Sequence, residues 1–263
     1  MVYLSPEYIE VMYKANQLKS HLADKIVEKD FLINYICMDY KVEYLLKIGT
    51  IEYKKMLAQN DIEKLKRKIQ IVKELEVFNE KEIDDMINEE FKGAQEIQKD
   101  LFEHINIAID YSIDENRLTQ EQVDDMNRDY SVIVHSWNPT INEKLSKEKQ
   151  DLFETAEEAY REGNYKLLHN YVQLINEDEL IEQGELVDLK NLVVKYQMLC
   201  KATDSVIQAI KNSFPYCEKP VLDDENLLQE RKESLNKELN DANQELKKLK
   251  KEFKELKDDK NFI

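Results

Sequence analysis

Residues that break helices or make tight turns are scarce in this chain. Its 263 residues hold four glycines and four prolines, too few to punctuate the many short strands of a sandwich or barrel. The three cysteines, Cys37, Cys200 and Cys217, are odd in number, and no pair has metal-ligand spacing. That argues against a disulfide framework and for a reduced, cytoplasmic setting. The N-terminal stretch MVYLSPEYIEVMYKAN lacks a basic-then-apolar leader pattern, so no secretory signal is expected. No run of 18 apolar residues occurs, so no membrane span is expected.

Apolar residues are plentiful and regularly spaced. They make up 42 % of the chain, enough to bury a core. With 35 % charged residues and so few breakers, the expected class is all-α. The net charge of −17 is uneven. Residues 76–130 carry 17 acidic and 5 basic side chains, a local net of −12. Such a surface repels phosphate backbones and anionic lipid, so neither nucleic acid nor membrane is expected as a partner.

Helix signals recur along the chain. Ser5-Pro6-Glu7 is a helix start, with Ser as N-cap and Pro at the first helical position. Tyr8, Val11, Ala15, Leu18, Leu22 and Ile26 follow at helical spacing. Ala58, Ile62, Leu65, Ile69 and Val72 step by 4, 3, 4 and 3, a heptad seam. Gly49 lies between these stretches, so residues 1–76 read as a long antiparallel hairpin turning there; one bent helix is the other option. Asn79 with Glu82 opens a third helix running to about Tyr111, and Thr119 with Gln122 is a second capping box. Ser146 starts another helix, and Gly163-Asn164 reads as a C-cap followed by an N-cap. Pro215 and Pro220 bound a linker over 215–222. In the tail, 223–263, Leu235, Leu239, Ala242, Leu246, Leu249, Phe253 and Leu256 form a second heptad seam. That spacing suits a homodimer through a coiled coil, and equally suits packing on the N-terminal seam.

Patterns that carry chemistry are missing. The four histidines, His21, His104, His135 and His169, are preceded at three residues by Leu18, Leu101, Val132 and Lys166. None is acidic, so the Glu-x-x-His pairs of a di-iron bundle are not present. There is no His-Glu-x-x-His run, no glycine-rich phosphate loop and no Gly-x-Ser-x-Gly elbow. No catalytic residue, metal ligand or cofactor is expected, and the chain reads as non-enzymatic. An enzyme assembled from scattered residues leaves no trace in such patterns. Tyrosine is frequent, with 14 copies. Tyr3, Tyr8, Tyr13, Tyr35, Tyr40 and Tyr44 read either as filler between helices or as a partner-binding stripe.

One segment resembles a known family. The stretch LTQEQVDDMNRDYSVIVHSWNPTINEKLSKEKQDLFETAEEAYREGN spans residues 118–164, and its core, 119–162, resembles a J domain. Tyr130, Ile133, Val134 and Trp137 precede a proline-centred loop, and Phe153, Ala156, Ala159 and Tyr160 follow it. Leu46-Lys47-Ile48-Gly49, Glu52-Tyr53 and the stretch Asn164 to Ile175 are similar to parts of bacterial helical proteins described as DnaJ-like. The resemblance implies chaperone ancestry and a helix pair within the region 77–214. It also implies that the loop Trp137, Asn138, Pro139 and Thr140 is the trace of a partner surface. The family's His-Pro-Asp tripeptide, which stimulates ATP hydrolysis by DnaK-type chaperones, is replaced by Asn138-Pro139-Thr140. The preceding helix, basic in the family, carries Glu121, Asp124, Asp125 and Asp129 against Arg128. Like charges across an interface cost several kcal/mol. A protein-interaction or scaffold module without ATPase stimulation is therefore expected. The alternative is a co-chaperone that uses the atypical loop, or merely a helix pair with a proline turn. Trp137 reads as the seal of that pair or as an exposed anchor; burying it would contribute about 2–3 kcal/mol.

Overall fold

The computed structural model describes residues 5–75, 79–114, 117–175 and 185–259. Eleven α-helices are found among them. In chain order they are α1 (Pro6–Phe31), α2 (Cys37–Tyr44), α3 (Thr50–Glu74), α4 (Glu80–Glu90), α5 (Lys92–Ile113), α6 (Gln120–Trp137), α7 (Lys147–Arg161), α8 (Tyr165–Val172), α9 (Leu186–Lys211), α10 (Lys219–Asp223) and α11 (Glu225–Asp259). The described residues contain no strand, so the class is all-α, as the spacing predicts. No described helix is long and apolar enough to cross a membrane.

The helix ends follow the capping signals. Ser5 accepts from the Tyr8 amide at 3.1 Å, with Pro6 at the first helical position. Thr119 and Gln122 form a complete reciprocal capping box. Asn79 caps α4 by accepting from Lys81, but its side-chain amide bonds the Glu82 carboxylate, so the exchange is not a full box. The third helix ends early, because the backbone at Phe91 leaves helical angles (φ −99°, ψ 12°) and divides it into α4 and α5. At the end of α7, the Asn164 amide donates to Ala159 O at 2.8 Å and the Gly163 amide to Tyr160 O at 3.3 Å. This is a Schellman motif, and it places Gly163 at φ 72°. Asn164 then caps α8 by accepting from Leu167 at 3.2 Å.

Gly49 does not turn the chain back. Two π-helical segments, Leu32–Ile36 and Leu45–Gly49, connect α1, α2 and α3, and every residue from Pro6 to Glu74 is helical. Gly49 keeps right-handed angles (φ −56°, ψ −33°), so it supplies no left-handed cap. The hairpin expected over 1–76 is replaced by the single helical path. With no proline or polar loop at 49, one wide turn absorbs the irregularity and the helix continues.

The chain divides into two units that interleave in sequence: Met1–Met38 with Glu115–Cys217, and Asp39–Asp114 with Glu218–Ile263. They are not the segments 1–76, 77–214 and 223–263, because the N-terminal helices take their partners from far along the chain. The linker expected at 215–222 holds a 3₁₀ turn and α10. The boundary between units nonetheless falls there, after Cys217.

In the first unit, α1 and α9 pair in parallel. Lys190 bonds Glu7 at 2.5 Å, Asp204 bonds Lys25 at 3.2 Å and Lys211 bonds Glu28 at 2.8 Å. Helix α6 runs antiparallel to α1, with Asp24 against His135 and Asp30 against Tyr130. Leu22, Ile26, Tyr130, Ile133, Val134, Phe153, Tyr160, Leu168 and Tyr196 meet in one core.

In the second unit, α11 lies parallel to α3. Its heptad seam meets the other one: Leu239, Ala242, Leu246 and Leu249 pack with Ala58, Ile62 and Leu65. Leu235 packs with Ile48, Leu222 and Leu228, and Phe253 packs against Ile71, Val72 and Ile83. Lys55–Glu238, Lys66–Glu245 and Lys73–Glu252 line the pair, each at 2.8–2.9 Å. The tail seam is thus covered within the chain. Helices α4 and α5 return antiparallel along α3, where buried Gln98 bonds Asn60 at 3.2 Å and Met56 O at 3.3 Å.

Gly163→Ala should cost about 1–2 kcal/mol, because an L side chain is strained in the left-handed region. The added Cβ would also meet Leu118 at 3.1 Å. Urea unfolding of the two proteins measures it.

Candidate functional site

The loop between α6 and α7 is built inward. Trp137 and Asn138, 3 % and 4 % exposed, lie in the interior, while Pro139 and Thr140 are exposed. The Asn138 side-chain oxygen accepts from the Thr140 amide at 2.8 Å, an Asx turn. Its backbone carbonyl accepts from the amides of Ile141 at 3.2 Å and Asn142 at 3.0 Å. Asn142, also buried, donates its side-chain amide to His135 O at 3.0 Å and Asn138 O at 3.3 Å. Helix α9 then closes over the loop. The Tyr196 hydroxyl donates to Ile141 O at 3.0 Å, and Lys195 pairs with Glu143. Of the four residues that sequence marks as a partner surface, only Pro139 and Thr140 remain on the outside.

Trp137 seals the helix pair. Its ring lies 6.1 Å from that of Tyr171 on α8, within the core that holds Tyr130, Ile133, Val134, Phe153, Ala156, Ala159 and Tyr160. The outward face of α6 is acidic. Glu121, Asp124 and Asp125 are exposed, Arg128 is spent on Asp125, and Asp129 is held by His169 at 3.2 Å.

Away from the loop, the end of α7 meets α6 and the first π-helical segment in a cluster of tyrosines and carboxyl groups that sequence spacing does not bring together. Tyr130 and Tyr160 stack at 3.9 Å, and Tyr35 meets Tyr160 edge-on at 5.2 Å. Tyr35 sits in the first π-helical segment and donates to the Tyr160 carbonyl. Tyr130 donates to Asp30 at 3.0 Å and Tyr160 to Asn127 at 2.9 Å. Burial and the neighbouring carboxylate raise the Tyr130 phenol well above its usual range, so it stays a donor at neutral pH. Glu157, half-buried beside this cluster, has its carboxyl raised by burial first and by the charge of Asp30 second, against the opposing charges of Lys29 and Arg161.

The other tyrosines divide. Tyr8 is buried, Tyr13 is exposed, Tyr44 bonds Glu52 at 2.8 Å and Tyr40 accepts from Lys219 at 2.6 Å. Tyr3 lies outside the described residues. Three histidines sit against aspartates: His104 by Asp100, His135 by Asp24 and His169 by Asp129. Among the described residues no group of three or more His, Cys, Asp or Glu side chains could hold a metal ion. Nothing in the sequence pattern sets Asn142 or Tyr196 apart, since their roles depend on contacts 7 and 55 residues away.

The chain matches no family model, no curated protein and no solved structure.

Trp137→Ala should destabilise the chain by about 3–5 kcal/mol, the usual cost of emptying a large aromatic site. An unchanged melting temperature would contradict the core role. Glu157→Gln tests the buried carboxyl. A carboxyl whose folded pKa is raised contributes stability below its unfolded pKa and loses it as pH rises through the folded value. The substitution should therefore raise Tm near neutral pH and leave it nearly unchanged at about pH 4.

Proposed function

We propose that the chain is a non-enzymatic protein-interaction or scaffold module related to J-domain proteins, one that does not stimulate a DnaK-type ATPase. One observation carries the reading. The position that the family gives to the tripeptide's histidine holds Asn138, which is 4 % exposed and engaged by the loop's own amide. A group spent on closing its own turn is not available to a partner. The position of the tripeptide's carboxylate holds Thr140, so the charge-assisted contact is missing as well. The acidic face of α6 adds repulsion toward an acidic chaperone surface.

On this reading the helix pair survives because Trp137 and the stacked tyrosines stabilise it, independently of any tripeptide. The outward parts of the loop, Pro139 and Thr140, are the portion open to another protein. The tail seam is occupied by α3, so the reading assigns it no dimer contact. A cytoplasmic location belongs to the same reading, and the free thiols of Cys37, Cys200 and Cys217 suit it.

Steady-state ATP turnover by a DnaK-type chaperone tests the proposal, with an active J-domain protein as the positive control. Adding the full chain should leave the rate unchanged across the range in which the control accelerates it. A several-fold acceleration would overturn the reading and restore the co-chaperone.

A further inference from the structure

The outward side of α9 carries a seam that stays exposed in the folded chain. Val187, Asn191, Val194 and Met198 step by 4, 3 and 4, and from Met198 the same steps lead to Ala202, Ser205 and Ala209. An eleven-residue spacing used twice keeps these positions on one nearly straight line along a helix. All seven are exposed, Val187 at 64 %, Val194 at 54 % and Met198 at 67 %. The opposite side of α9 is the buried one, with Leu189, Tyr196, Cys200 and Ile207. None of the seven is charged, in a chain with 35 % charged residues. The line is therefore not an ordinary solvated face, which would be polar and charged.

Along this line the side chains match their own reverse order. Turned end for end about Met198, a second copy of α9 sets Ala209 against Val187, Ser205 against Asn191 and Ala202 against Val194. Met198 meets its own copy on the two-fold axis. Large faces small where Val meets Ala, which lets two helices approach closely without a void. Polar faces polar where Asn191 meets Ser205. The Ser205 hydroxyl donates to Lys201 O at 2.9 Å, so its oxygen is left to accept from the Asn191 side-chain amide. One flank obeys the same symmetry: Lys190 and Lys201 come opposite Gln208 and Gln197 of the second copy, and no like charges meet there. On the other flank, Lys195 is already paired with Glu143. A parallel second copy would instead set Val on Val, Asn on Asn and Ala on Ala.

We propose that the chain forms an antiparallel homodimer through this seam of α9, with Met198 on the two-fold axis. A closed two-fold interface uses the same patch on both copies, so the patch must be complementary to itself. A foreign helix or a lipid surface sets no such condition, and the seam meets it at every layer. The contact runs for about 33 Å. A single helix pair lies at the small end of specific interfaces, so the dimer is reversible and half-formed between about 1 and 100 µM. The net charge of −17 opposes the approach of two copies only weakly at physiological salt, where screening acts over about 8 Å. The inference goes beyond the interaction-module reading and does not rest on it. ATP turnover tests the loop, association tests α9, and each can fail without the other.

Sedimentation equilibrium of the full-length chain from about 1 to 200 µM should show the average mass rising from 31.3 kDa toward twice that value. Met198→Glu puts like charges on the axis and should weaken association by about tenfold or more. Its far-UV circular dichroism should be unchanged, because the side chain is exposed. Ile97→Glu, at an exposed apolar residue of the other unit, should leave the dimer intact. In a Cys217→Ser background, Met198→Cys should crosslink to itself on mild oxidation. Val194→Cys should crosslink to Ala202→Cys but not to itself, since in the antiparallel register two copies of position 194 lie about 12 Å apart along the helices. That is outside disulfide reach, about 7 Å between Cα atoms. A chain that stays monomeric throughout the range, a dimer that survives Met198→Glu or is lost with Ile97→Glu, or self-crosslinking of Val194→Cys equal to that of Met198→Cys would overturn the proposal. So would capture on phosphatidylserine-containing vesicles, abolished by Met198→Glu, in place of dimerisation.

Discussion

Parallel pairing of helices distant in sequence is the constraint on which each unit depends. Glu7 meets Lys190 and Glu28 meets Lys211; in the other unit Glu52 faces Arg231 and Lys73 meets Glu252. Residue numbers rise together along both pairs. Two parallel helices cannot be joined by a short loop, since the chain must first travel back to the starting end. The return path becomes the remainder of each unit. Helices α4 and α5 return along α3, and α6 starts the return along α1. The interleaved units follow from this geometry, and so does the long helix α11, which extends alongside α3 with little flank of its own.

The character of the loop between α6 and α7 follows as well. Because α9 runs parallel to α1, it passes over the far end of α6, where Tyr196 and Lys195 reach Ile141 and Glu143. The loop is bounded by Trp137 below and Tyr196 above. Its two asparagines satisfy the backbone groups that this confinement would otherwise leave unpaired. The energetic logic is that of an interior corner: buried amides, each with a named acceptor, and two exposed residues at the tip.

Local signals were legible and distant ones were not. The caps at Ser5, Thr119, Ser146 and Asn164, and the left-handed turn at Gly163, depend on residues within four positions, so reading the chain finds them. Both heptad seams were visible, because spacing alone reveals an apolar stripe. Which stripe covers which was not, since a seam states that it needs a partner and not where the partner lies. Gly49 shows the limit of composition: glycine permits a turn, and only packing decides whether one forms. The π-helical segments left no mark in the pattern, so Tyr35 could not be placed against Tyr160. Trp137 stood out as the sole tryptophan. Asn138 stood out only as a departure from the tripeptide of the family that the segment resembles, and its inward orientation arises from Asn142 and Thr140, which look like ordinary loop residues.

The interleaving also bears on how the chain is made. The apolar stripe of α3 ends at Val72, and its cover from Leu239 to Leu249 is encoded near the other terminus. A ribosome adding about 5–20 residues per second needs roughly 10–35 s to bridge that interval. During that time α3 has emerged without its lid. The exposure of that stripe during synthesis is thus written in the connectivity of the chain and not in the strength of any single contact.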